Sequence, residues 1–140
     1  MESFFPSIWN LLHDGNIARV ERTIAGDMRV HVSIEYLRER FEGTGDKFIV
    51  TLLNCTEFSF RFYEAEHAVA GLDAIASESL SILSAEMVGP VCRVFADVGV
   101  IEFKCDGGSI KLDSGRQISL EDLIRETKVY WDQWGSKSKE

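Results

Sequence analysis

Between Met28 and Tyr36 the apolar side chains Met28, Val30, Val32, Ile34 and Tyr36 alternate with Arg29, His31, Ser33 and Glu35. A period of two over nine residues is the signature of a strand with one buried and one wet face. Such a strand cannot satisfy its own backbone and needs a neighbour. Ile17–Ile24 fits helical spacing through Ile17, Val20 and Ile24, and a strand face through Val20 and Ile24. The Gly26-Asp27 turn signal resolves this in favour of a hairpin.

The chain beyond reads mostly as strands. Phe48–Leu53 is almost continuously apolar, as in a strand covered on both faces, and Phe58, Phe60 and Phe62 then alternate with Ser59, Arg61 and Tyr63. Asn54–Glu57 between them is either a turn or a bulge that lets one long strand bend. Val91–Phe95, Val100–Cys105 and Ser109–Leu112 are further strands, and Asp106-Gly107-Gly108 is a hairpin signal. From Val69 to Val88 the serines at 77, 79, 81 and 84 work against a stable helix, so the stretch reads as a loop or short helical turn followed by a strand.

Helices are expected at the two ends. Phe4–Leu12 carries a broad apolar face with Pro6 in its first turn, and Gly15-Asn16 supplies a residue type suited to a left-handed stop. At the C-terminus Ser119 and Asp122 form a capping box, with Ile118 and Leu123 at the staple positions. Leu120, Leu123, Ile124, Thr127, Tyr130, Trp131 and Trp134 follow three-four spacing, and Gly135 is the expected stop. This face should cover the sheet or close one end of it. With 140 residues, 45% of them apolar, the chain has material for one core. The sequence therefore predicts a single α+β domain over 1–134, with a flexible tail at 135–140. Its architecture is about eight mainly antiparallel strands in a curved sheet or β-sandwich, with a short N-terminal and an amphipathic C-terminal helix.

Charge narrows the partners. Fifteen Lys and Arg against 23 Asp and Glu give a net charge of −8, and the cations are interleaved with acids, as in Arg38-Glu39-Arg40. Nucleic-acid binding draws on clustered cations, so nucleic acid is not expected as a partner. An acidic surface suits a basic protein. No basic-then-apolar leader and no apolar run of about 18 residues is present, so membrane association is not expected and the cytoplasm is. Cys55, Cys92 and Cys105 are an odd set in apolar surroundings without metal-ligand spacing, which suits free core thiols in a reducing compartment.

No catalytic motif appears: the chain has no GxSxG elbow, P-loop, GxGxxG fingerprint or HExxH helix. His13-Asp14 is the most suggestive pair, but a metal site needs further convergent ligands, and His31 and His67 are placed elsewhere. The structural role for His13 is to sit at the negative end of the first helix, with Asp14 bonding the turn around Gly15 and Asn16. No cofactor, metal or catalytic residue is assigned. Candidate binding residues are His13, Asp14, Glu35, Trp131 and Trp134, the tryptophans because exposed aromatics anchor interfaces.

The opening pattern, with Trp9 in a short helix followed by Leu12-His13-Asp14-Gly15 and a strand pair, resembles small uncharacterised bacterial proteins grouped near the toxin-immunity families. Cys55–Phe60 and Ile82–Glu86 are compatible with it, and residues 1–40 carry it best. The resemblance implies a β-rich, non-enzymatic module that binds another protein. Two alternatives stand beside it: an enzyme or a small-ligand or metal binder with its site around His13 and Asp14, and a structural subunit that homodimerises through an edge strand.

Overall fold

The computed structural model describes residues 4–23, 26–41, 43, 45–64 and 80–138, with side chains described only between Ser7 and Asp132. His67 and positions 69–79 of the ambiguous serine-rich stretch lie outside the described residues; its last part, Leu80–Val88, is a strand. Helix α1 (Phe4–Leu11) precedes the hairpin β1 (Asn16–Arg22) and β2 (Met28–Ser33), then a single helical turn α2 (Glu35–Arg38). Strands β3 (Lys47–Leu53), β4 (Thr56–Phe62), β5 (Leu80–Val88), β6 (Val91–Ala96), β7 (Gly99–Lys104), β8 (Gly107–Leu112) and β9 (Gln117–Ile118) follow. Helix α3 (Leu120–Ser138) ends the described chain.

All pairings are antiparallel, in the order β4-β7-β6-β5-β1-β2-β3-β8-β9. The expected α+β class with a mainly antiparallel curved sheet holds. The short β9 edge strand was not foreseen, since two residues carry no period.

Asp106-Gly107-Gly108 does not make a hairpin. β7 pairs with β4 and β6, and β8 with β3 and β9, so β7 and β8 do not face each other. A two-residue hairpin turn needs positive φ in its centre, which neither Gly107 nor Gly108 has. β3–β4 and β8–β7 instead form one bent ladder. Leu53 lies opposite Gly107 and Thr56 opposite Lys104, three residues further along each strand in unbroken register, and the Asp106 N–H donates to the Leu53 carbonyl at 2.9 Å in between. Asn54–Glu57 is thus the bend in a long strand. Asn54 takes φ +49, and a bulge at Glu57, φ +56, shifts the register by one beyond Thr56.

The order of strands therefore begins on one half of the bent pair, β4-β7, and reaches the other half, β3-β8, just before the edge strand β9, so the sheet curls around one core. Ile17, Val30, Phe58, Val94 and Phe103, from five different strands, line one small apolar space beneath Trp9. Trp9 meets the Phe103 ring edge-on at 6.1 Å. β3 is fully buried on one face only: Phe48, Val50 and Leu52 are inside while Ile49 and Thr51 are half-covered.

Tyr36 belongs to α2 rather than to β2. The strand ends at Ser33, and the turn from Glu35 to Arg38 brings Leu37 and Arg38 inside. Arg38 is fully buried and donates to Asp113 at 2.9 Å; Asp113 also accepts from the backbone N–H groups of Asp46 (3.1 Å) and Lys47 (3.2 Å). Burial pushes the Asp113 carboxyl up, but the Arg38 guanidinium and these two N–H groups outweigh it and hold the group below the ordinary range.

Helix α3 starts as expected, with the Ser119 Oγ accepting from the Asp122 N–H at 3.0 Å and the Asp122 carboxylate from the Ser119 N–H at 3.2 Å. It runs through Gly135 to Ser138, past the expected stop and into the expected tail. Glycine inside a helix costs about 1 kcal/mol but does not end it unless the chain turns there. Among the described side chains of its apolar face Leu123 alone is fully buried, and Ile124 is exposed, because the helix closes one end against α1 and α2 instead of lying on the sheet. No helix among the described residues is long and apolar enough to cross a membrane.

Arg38→Met should cost about 2–3 kcal/mol in urea unfolding, since it strands the partner of a buried charge that keeps some solvent access. Asp113 has a lowered folded-state pKa, so its contribution is present above the ordinary carboxylate value and disappears as pH falls through the depressed one. Stability of the native chain should accordingly drop more steeply than that of Asp113→Asn between about pH 5 and 2, measured by thermal melts.

Candidate functional site

The corner after α1 is built by backbone. Asp14, not Gly15, adopts the left-handed conformation, with φ +72. Gly15 is needed for a different reason: a Cβ there would meet Val32 Cγ1 at 2.7 Å and the Leu12 carbonyl at 2.9 Å. The Asp14 N–H donates to the Ile82 carbonyl and the Ile82 N–H to the Gly15 carbonyl, both at 2.8 Å, so this turn extends the short β1–β5 pairing. Asn10 extends it again, its amide donating to the Ala85 carbonyl at 3.2 Å and accepting from the Ala85 N–H at 2.9 Å.

His13 Nδ1 lies 2.8 Å from the Asn10 carbonyl and must carry the proton it donates there, which satisfies one of the open carbonyls at the helix end. That is the expected structural role. The ring stacks on Trp131 of α3, centroids 5.9 Å apart and 12° from parallel. Tyr36 joins the same cluster, stacked on Tyr130 at 4.4 Å and edge-on to Trp131, with its hydroxyl 3.5 Å from the His13 carbonyl. Burial above all, then the charge of Asp14, pushes the Tyr36 phenol up to about 12, so it remains a donor.

Of the five residues singled out by sequence, the structure brings His13, Asp14 and Trp131 together. The Asp14 carboxylate is exposed and among the described residues reaches only His13 Nε2, at 3.8 Å; it does not bond the turn backbone as expected. Glu35 is exposed and makes no hydrogen bond or ion pair with either among the described residues. The Trp134 side chain lies outside the described ones. No three His, Cys, Asp or Glu among the described residues converge to hold a metal. The cysteines are equally unsuited to attack: burial pushes the thiols of Cys55 and Cys92 up to about 12, and that of Cys105 up as well. The corner joins three helices by aromatic contact and presents no reactive constellation.

Sequence reading missed two other surfaces. Three of the seven exposed large hydrophobics among the described residues, Leu83, Met87 and Val88, lie on β5. The second surface is a polar groove on the outer face of β1, β2, β3, β8 and β9, lined by side chains from five strands whose adjacency follows only from the strand order. No protein-family model, no curated protein and no solved structure matches the chain.

Asp14→Gly should leave stability unchanged or raise it by about 1 kcal/mol, since glycine relieves the left-handed backbone and little is lost with the carboxylate. Gly15→Ala should lower it by about 1–3 kcal/mol, because a core valine and a backbone carbonyl would have to move. Chemical denaturation of both variants measures this.

Proposed function

We propose that the chain is a non-enzymatic protein-binding module of the immunity type, an acidic domain that neutralises a partner by covering its surface. The observation that carries this reading is that three exposed apolar side chains stand on one strand of the β5–β6 hairpin. Leu83 is 55% exposed, Met87 40% and Val88 46%, and Gly89 and Pro90 at the tip are also open to solvent. Concentration of exposed apolar groups on one projecting element is what interfaces use; scattered singly they carry no meaning. Beyond Ala85, where Asn10 ends its cover, the outer edge of β5 runs on to Val88 and can add a partner's strand. The net charge of −8 favours a basic partner surface.

The partner should be retained from a host lysate on the purified chain at low salt, elute as salt rises, and be lost with Met87→Ser/Val88→Ser while the melting temperature stays within about 2 °C of native. Retention by that variant would sink the hairpin as the interface. A chain that sizes as a dimer until the same substitutions are made would replace this reading with homodimerisation through β5.

A further inference from the structure

The outer face of the β1-β2-β3-β8-β9 half carries positive charge that the acidic composition conceals. Cross-strand register sets Glu21, Arg29, Thr51 and Ser109 in one row and Arg19, His31, Ile49, Lys111 and Gln117 in the next, all on the opposite side from the buried Val20, Val30, Val50 and Ile110. Between them lies a groove of about 690 Å³. This lies within the range of about 300–1,000 Å³ that small-molecule sites occupy.

The two carboxylates at this groove are already engaged. Glu21 accepts from His31 Nε2 at 2.8 Å and pairs with Arg19 at 3.1 Å, and the His31 hydrogen bond, more than any other influence, holds its pKa below the usual value. Asp27 accepts from the Asn54 N–H at 2.9 Å, fixing the bend of β3–β4. Arg29 stands opposite Glu21 and its charge adds to the lowering of that carboxyl, yet Arg29, Lys111 and Arg22 form no ion pair among the described residues, and all three line the groove. The hydroxyls of Thr51 and Ser109 and the amide of Gln117 lie among these cations and add neutral donors.

We infer that this groove is a binding site for a small, multiply charged anion whose charges are carried by phosphate or carboxylate groups, held between Arg29 and Lys111. Arg29 stands on β2 and Lys111 on β8, with β3 between them and a shift of two residues along the strand. Strand spacing and rise put their backbones about 12 Å apart. Two long side chains reaching inward from that separation fit a ligand with two anionic groups better than a single ion. The guanidinium can fork onto two oxygens of one group, and the ammonium takes the other as a point charge. The site shares no residue with the β5–β6 hairpin, so it stands or falls apart from the protein-binding role.

The test is titration of the native chain at low salt with inorganic tripolyphosphate and, separately, with citrate, followed by amide chemical shifts. Saturable shifts confined to β1, β2, β3, β8 and β9 are expected with at least one of the two probes, and the probe that saturates identifies the anionic group. Arg29→Gln and Lys111→Gln should each weaken binding by about tenfold with an unchanged melting temperature, whereas Lys104→Gln on the exposed side of β7 should leave it as it was. Absence of saturation with both probes up to about 10 mM, or equal weakening by Lys104→Gln, overturns the assignment.

Discussion

Two paired strands can change direction only if both bend at the same place, and this constraint shapes the molecule. At the corner shared by β3–β4 and β8–β7 the ladder keeps its register while both chains turn. Neighbouring groups hold the bend: Asn54 Nδ2 donates to the Asp106 carboxylate at 3.1 Å, the Asn54 N–H to Asp27, and the Cys55 N–H to the Gly26 carbonyl at 3.0 Å. Without it β4 and β7 would continue in the plane of β3 and β8, and Phe58 and Phe103 would not reach the space they share with Trp9 and Ile17. The backbone groups freed at the corner are taken up by a turn, a side chain and a facing strand, as buried peptide groups require.

The elements with strong local periods were legible. Alternation from Met28, the Ser119–Asp122 capping box and the run Phe58-Phe60-Phe62 each led to the right structure, because local backbone preference and burial agree there. Where sequence and structure part, strand partnership is the main cause. Asp106-Gly107-Gly108 has the composition of a hairpin turn, but β7 and β8 are held apart by pairing with β4 and β3, far earlier in the chain. Tyr36 continued a period of two that the burial of Leu37 and Arg38 interrupts. Local sequence records faces and turns; it does not record which strands become neighbours.

The same limit governs the sites. His13 could be placed at a helix end because the helix and its stop are local, and the structure adds only what covers it, the Trp131 ring. Arg29, Thr51, Ser109 and Lys111 are spread over more than eighty residues and signal nothing in sequence, since each is an ordinary outward-facing strand residue. Arg38 was legible as a charge and not as a buried one, because its partner Asp113 lies 75 positions away.

Asn10 imposes an order of events on folding. Its amide completes the backbone of Ala85, again 75 residues downstream, and Ile8, Trp9 and Leu12 are buried in the core that β5 and β6 help to form. During synthesis the helix that carries them emerges well before β5 and β6, and until those strands follow, earlier strands such as the β1–β2 hairpin offer it only part of its apolar surface. Contacts of such sequence separation form late, after much loop entropy has been lost. The nascent chain must therefore carry a partly uncovered aromatic helix until β5 has followed, and only the stretch of the β5 edge up to Ala85 is closed to strand addition once that helix has docked.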